Sequence, residues 1–307
     1  IIFCLINLWF TNNLAQNSQP VFTHLTIENG LSQSSVFSIL QDRYGLMWFA
    51  TEDGLNLYDG YNFKVFRNEP DNPNSLASNN VRVILEDNSG SLWIGTWGGG
   101  LNLFDRETSS FIRYMHDPQN PNSISGDNIW SICEDQNGMI WIGTYGDGLN
   151  QFDPKNNTFK HYKNDSQNSN SLSGDFALFI CEDHNSELWI GTNNGLNLFD
   201  RQSDSFIRFQ HDPANPKSLS GRSVSFIYED RSSKFWIGTG GGGLNLFDRE
   251  SNSFTSFKND EKNPGSLSNN IIYSINEDRS GNIWVGTWGG GLNLFDRKLN
   301  SFKSYKH

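Results

Sequence analysis

Apolar and polar positions along this chain alternate in short runs of five or six residues, punctuated by Gly, Asn, Asp and Ser. Residues 81–86 read VRVILE, 92–96 LWIGT, 101–105 LNLFD and 111–115 FIRYM, separated by turn residues such as Asp87-Asn88-Ser89-Gly90 and Gly98-Gly99-Gly100. Runs of this length and period predict β-strands. No segment carries the 3.6-residue period of a helix. The first of the four runs is β-branched and apolar at most positions, which predicts an innermost strand buried on both faces.

The same text recurs along the chain. Trp48, Trp93, Trp141, Trp189, Trp236 and Trp284 each sit in a Trp-(Ile/Phe/Val)-(Gly/Ala)-Thr tetrapeptide, spaced 45, 48, 48, 47 and 48 residues apart. A fixed period of this size marks stacked repeats, in which one unit cannot bury its own faces and gains a core from the next. Four strands per unit give an all-β fold, a β-propeller of four-stranded antiparallel blades. The six complete blades fall at about 35–68, 80–115, 128–163, 176–210, 223–258 and 271–307. Burying roughly 200 Å² of indole contributes on the order of 5 kcal/mol gross, so the six repeated Trp are read as packing residues. Phe104, Phe152, Phe199, Phe247 and Phe295 are read the same way.

Residues 22–27 (FTHLTI), with Gly30-Leu31-Ser32 after them, read as an extra N-terminal outer strand, because Leu31 precedes Val36 by five residues just as Leu76 precedes Val81. Together with Ser301–His307 this makes seven outer strands against six of every other type, the count of a fragment of a seven-bladed ring. A closed six-bladed ring with one redundant strand is the alternative.

Residues 22–33 (FTHLTIENGLSQ), 42–48 (DRYGLMW) and 51–61 (TEDGLNLYDGY) resemble the two-component regulator propeller repeats found in the extracellular part of bacterial hybrid sensor histidine kinases. The resemblance covers nearly all of residues 21–307, and the Gly-His and Trp-Asp pairs of tryptophan-aspartate repeats are missing. It implies an extracytoplasmic, ligand-binding sensor module. In that family an immunoglobulin-like domain, a membrane span and a kinase follow the propellers, and many members sense oligosaccharides. The partners implied are an oligosaccharide or other small ligand, a membrane only through downstream segments, and a homodimer partner within a full-length receptor. Kinase activity cannot be assigned to this segment.

Charge and leader narrow the picture. The 23 basic residues against 34 acidic ones leave a net charge of −11, which argues against nucleic acid or an anionic membrane surface as partner. Residues 1–20 read as the remnant of a secretory signal and linker: Ile1–Phe10 is apolar but too short to span a bilayer. Export to the periplasm or beyond is therefore expected. Cys4, Cys133 and Cys181 form no disulfide framework or metal motif, and no cofactor is expected.

Enzyme signatures such as HExxH, GxSxG and Walker A are missing. The Asp87-to-Trp93 spacing resembles the Asp-box of sialidases, which shapes a turn and carries no chemistry. In blades 4 and 5, Ser186 and Ser233 replace the Gly of that turn. A secreted interaction scaffold, or a lyase or hydrolase using Glu52, Asp53 or Asp147, remains the alternative function.

Function is expected on the top face, where the second strand turns into the third and where the innermost strand begins. Residues there vary while the scaffold repeats: Glu52 and Asp53, Trp97, Tyr145 and Asp147, Asn193 and Asn194, Gly240, and Trp288 in the turns. The second residue of the innermost strand varies likewise, through Phe37, Arg82, Trp130, Leu178, Ser225 and Tyr273. Aromatic faces with fixed polar groups suit a sugar or peptide, so Arg82, Trp97, Trp130, Tyr145, Asp147, Tyr273 and Trp288 are the candidate ligand-binding residues. The reading set against this is that Trp97, Trp288 and Tyr145 merely cover neighbouring blades. The Pro- and Asn-rich loops between blades, such as His116–Ser123, read as structural caps.

Overall fold

The computed structural model describes residues 25–306. They form six four-stranded antiparallel sheets, each paired in chain order. In blade 2 the strands are Val81–Glu86, Leu92–Thr96, Leu101–Asp105 and Ser110–Tyr114. The innermost strands, Val36–Gln41, Val81–Glu86, Ile129–Glu134, Ala177–Glu182, Val224–Glu229 and Ile272–Glu277, pack against one another in that order. The result is a six-bladed β-propeller.

The innermost strand is not buried on both faces. In blade 2 Val81 and Ile84 are buried, but Val83 and Leu85 are only half-buried. The strand buried throughout is the second, as in Leu92–Thr96, Ile140–Thr144, Leu188–Thr192 and Phe235–Thr239. The reason is position: the innermost strand borders the axis and meets water there, whereas the second lies between blades on both faces.

Each blade seals the preceding one through the same contacts. Ring centroids lie 5.3 Å apart for Trp48 and Phe104, 5.7 Å for Trp93 and Phe152, and 4.9 Å for Trp141 and Phe199. Trp189 meets Phe247 at 5.7 Å and Trp236 meets Phe295 at 5.1 Å. Ion pairs join the same seams at 2.7–2.8 Å: Arg106 to Asp42, Arg201 to Asp135, Arg249 to Asp183 and Arg297 to Asp230. The seam between blades 2 and 3 has no such pair among the described residues, because Pro154 takes the place of the arginine.

Blade 6 differs. Trp284 is half-buried where the other five repeated Trp are at most 2% exposed. No phenylalanine from another blade covers it among the described residues, and the innermost strands of blades 6 and 1 lack the packing that joins the other neighbours.

Leu31 is buried at the same point of the repeat as Leu76, Ile124, Leu172, Leu219 and Leu267. The extra outer strand expected over residues 22–27 does not reach Ile27, which opens a 3-10 turn, Ile27–Asn29. Thr26 and Asn29 cap that turn reciprocally and Gly30 closes it at φ 104°. Residues 22–24, the leader and Cys4 lie outside the described residues. The loops between blades act as caps: the Ser123 hydroxyl accepts from the Asp117 N–H and donates to the Asp117 carbonyl. Arg113 likewise donates to the carbonyls of Ser75 and Asn72.

Candidate ligand site on the top face

The turn between the second and third strands is tied to the start of its own blade's innermost strand. The N–H of Trp97 donates to the Asn80 carbonyl at 2.8 Å, that of Tyr145 to Asn128 at 2.9 Å and that of Trp288 to Ile271 at 3.0 Å. This register places the first turn residue beside the second residue of the innermost strand. Arg82 therefore joins Trp97, Trp130 joins Tyr145, and Tyr273 joins Trp288.

Two of these pairs merge into one cluster. Trp97 lies 6.1 Å from Trp130 and 5.2 Å from Tyr145 between ring centroids, and Trp130 lies 5.1 Å from Tyr145. The Arg82 guanidinium sits 3.9 Å from the Phe37 ring centre, with the rings of Trp97 and Trp130 at 5.5 and 5.4 Å. Phe176 closes the far end, edge-on to Tyr145 at 4.5 Å. Burial pushes the Arg82 guanidinium down from its ordinary range, against the pull of the Glu52 charge.

Tyr273 and Trp288 form a separate platform, stacked at 5.2 Å with 24° between planes and exposed by 56% and 61%. Asp147 ties down its own turn through its main chain: its N–H donates to the Thr144 hydroxyl at 3.0 Å, its carbonyl accepts from the Ser125 hydroxyl at 2.9 Å, and a Cβ at Gly126 would collide with its carboxylate. Asp53 is paired with Arg67 at 2.9 Å. Phe176 was missed by the sequence reading, because it precedes the strand position at which variation was sought.

The other polar residues of the blades are committed to structure. In each blade the Trp indole N–H donates to the turn aspartate, as from Trp93 to Asp87 at 2.8 Å and from Trp236 to Asp230 at 3.0 Å. Cys133 and Cys181 are free thiols, and burial pushes Cys133 up to about 12 and Cys181 upward as well, which disfavours the reactive thiolate. Among the described residues no group of three or more His, Cys, Asp and Glu side chains could hold a metal ion. No helix among them is long and apolar enough to cross a membrane.

Comparison with known proteins places this architecture. Residues 30–53, 75–98, 123–146, 171–194 and 266–289 match the family model of the two component regulator propeller. These five segments are two component regulator propeller repeats. Each matched segment runs from the end of an inter-blade loop through the second strand, the stretch that carries the buried Leu or Ile, the turn aspartate and the Trp. Blade 5 is not matched, although its strands pair in the same order.

The extracellular domain of a hybrid two component system from B. thetaiotaomicron aligns over 93% of this regulator propeller with a TM-score of 0.78 and 28% identity. A histidine kinase of Formosa agariphila is 51% identical over 63 residues, 20% of the chain. PorZ of Porphyromonas gingivalis, a surface component of the type-IX secretion system, shares the fold with a TM-score of 0.65 at 18% identity, over 85% of this chain and 38% of its own. The regulator propeller spans 36% of the B. thetaiotaomicron chain and 5% of the histidine kinase.

Proposed function

We propose that this propeller is the ligand-binding sensor module of a longer, membrane-tethered receptor of the two-component class, facing the periplasm or the cell exterior. Its ligand site is the cluster of Arg82, Trp97, Trp130 and Tyr145, with Tyr273 and Trp288 as a second platform. One observation carries the reading: aromatic side chains gather at positions the fold leaves free, since blades 4 and 5 hold Leu178, Asn193, Ser225 and Gly240 there and build the same sheets. Half-buried indoles around a cation accept the apolar face of a sugar ring while a polar group fixes its orientation, and an oligosaccharide is the ligand class proposed.

The test is the melting temperature of the purified chain with a panel of oligosaccharides. A ligand at about 100 times its dissociation constant adds about 2.7 kcal/mol and raises the melting temperature. Trp97→Ala and Trp130→Ala are expected to abolish the rise; a rise that survives both refutes the site.

A further inference from the structure

Among the described residues the Arg82 guanidinium makes no hydrogen bond and no ion pair, and its Nε is buried without a partner. The other half-buried arginines, and the more exposed Arg297, are all engaged through at least one nitrogen, although the Nε atoms of Arg106 and Arg201 are unpartnered too. Arg106, Arg201, Arg249 and Arg297 each pair with carboxylates of two blades, and Arg113 and Arg208 donate to loop carbonyls. Desolvating an ionised group without an acceptor costs stability. Packing does not require it either, because Leu178 and Ser225 stand at the same point of blades 4 and 5.

The surroundings of Arg82 define what it lacks. Its guanidinium carbon lies 3.9 Å from the ring centre of Phe37 and 5.5 and 5.4 Å from those of Trp97 and Trp130, so aromatic rings rather than hydrogen-bond acceptors surround it. A carboxylate meets a guanidinium edge-on with two parallel hydrogen bonds. The adjoining indoles would then lie against the ring that bears the carboxylate. A chain of net charge −11 does not attract anions at long range, so the preference has to come from this contact.

We propose that Arg82 receives a carboxylate carried by the ligand, so that the propeller reads an acidic oligosaccharide built on uronic acids in preference to a neutral one. The inference rests on the top-face site proposed above.

The experiment is calorimetric titration of the intact chain with oligogalacturonate and oligomannuronate, each beside its carboxyl-reduced neutral counterpart. The proteins compared are the unaltered chain, Arg82→Met, Arg82→Lys and Trp130→Ala. Acidic oligomers are expected to bind about 10- to 100-fold more tightly than their reduced forms. Arg82→Met brings them to the neutral level, and Arg82→Lys recovers only part of the difference. Arg82→Met melts at or above the temperature of the unaltered chain, because a desolvated, unpaired charge is gone.

Equal binding of acidic and neutral oligomers, with both lost in Trp130→Ala, overturns the acidic preference and leaves the top-face site standing. An Arg82→Met protein that melts several degrees lower makes Arg82 a structural residue and overturns the inference. No binding of either kind, or binding unaffected by Trp130→Ala, removes the site and the inference together.

Discussion

The indole Nε1 of Trp141 donates a 2.9 Å hydrogen bond to Oδ2 of Asp135, and Nη1 of Arg201, one blade further on, donates to the same oxygen at 2.8 Å. The other oxygen accepts the backbone N–H groups of Asn137 and Met139 at 2.9 and 3.1 Å. One carboxylate thus holds a turn, a core tryptophan and the next blade. Asp135→Ala is expected to cost about 3–5 kcal/mol, since it leaves the indole N–H and the turn N–H groups unpaired and takes from Arg201 one of its two carboxylates, leaving Glu182. Asp87→Ala, at the seam where Pro154 replaces the arginine, is expected to cost about 1–3 kcal/mol less. Urea unfolding of both variants checks the difference.

Acid should unfold the ring through these same groups. Burial pushes the carboxyls of Asp42, Asp135, Asp183 and Asp230 up, but the indole, arginine and backbone donors together outweigh it and hold all four below the ordinary carboxylate range. Asp278 lies at about 2. A carboxyl depressed by folding stabilises the fold above its unfolded value of about 3.9 and loses that contribution as pH falls through its folded value. The melting temperature is expected to hold from pH 7 to about 5 and to fall steadily from about pH 4 towards 2. Calorimetry across that range tests it, and a melting temperature unchanged down to pH 2 would contradict the role given to the aspartates.

Ser186 and Ser233 adopt φ of 63° and 59°, where the other blades use Gly45, Gly90, Gly138 and Gly281 at 75–95°. A residue with a Cβ is strained in that region. Ser186→Gly and Ser233→Gly should each stabilise the protein by about 0.5–1 kcal/mol, and the pair should add because the turns are in separate blades. Denaturant midpoints of the two single variants and the double variant decide this.

Trp236 and Trp284 occupy the same repeat position, yet only Trp236 is covered by a phenylalanine of the next blade. Trp236→Ala should cost about 3–5 kcal/mol, as large core truncations do. Trp284→Ala should cost less than half of that. Equal losses would mean that the exposed side of blade 6 is covered in solution.

The blades were legible because every one states the same strands: Leu92–Thr96 and Leu101–Asp105 were read to the residue. VRVILE was misread because an apolar run looks alike whether a sheet or the axis lies beside it. Asn150 shows the opposite limit. Alternation would give it to solvent, yet it is fully buried, accepting from the Ser125 N–H and donating to the Ser125 hydroxyl, both at 2.9 Å. Arg82, Trp97, Trp130 and Tyr145 stood out as variable residues on a constant scaffold. Their merging into one cluster, while Tyr273 and Trp288 stay apart, depends on contacts between blades that no single repeat contains.

Four of the five seams carry an arginine–aspartate pair, and the fifth, between blades 2 and 3, lies beneath Trp97, Trp130 and Tyr145. A molecule laid across those rings would bridge the one seam of the five that has no arginine staple among the described residues.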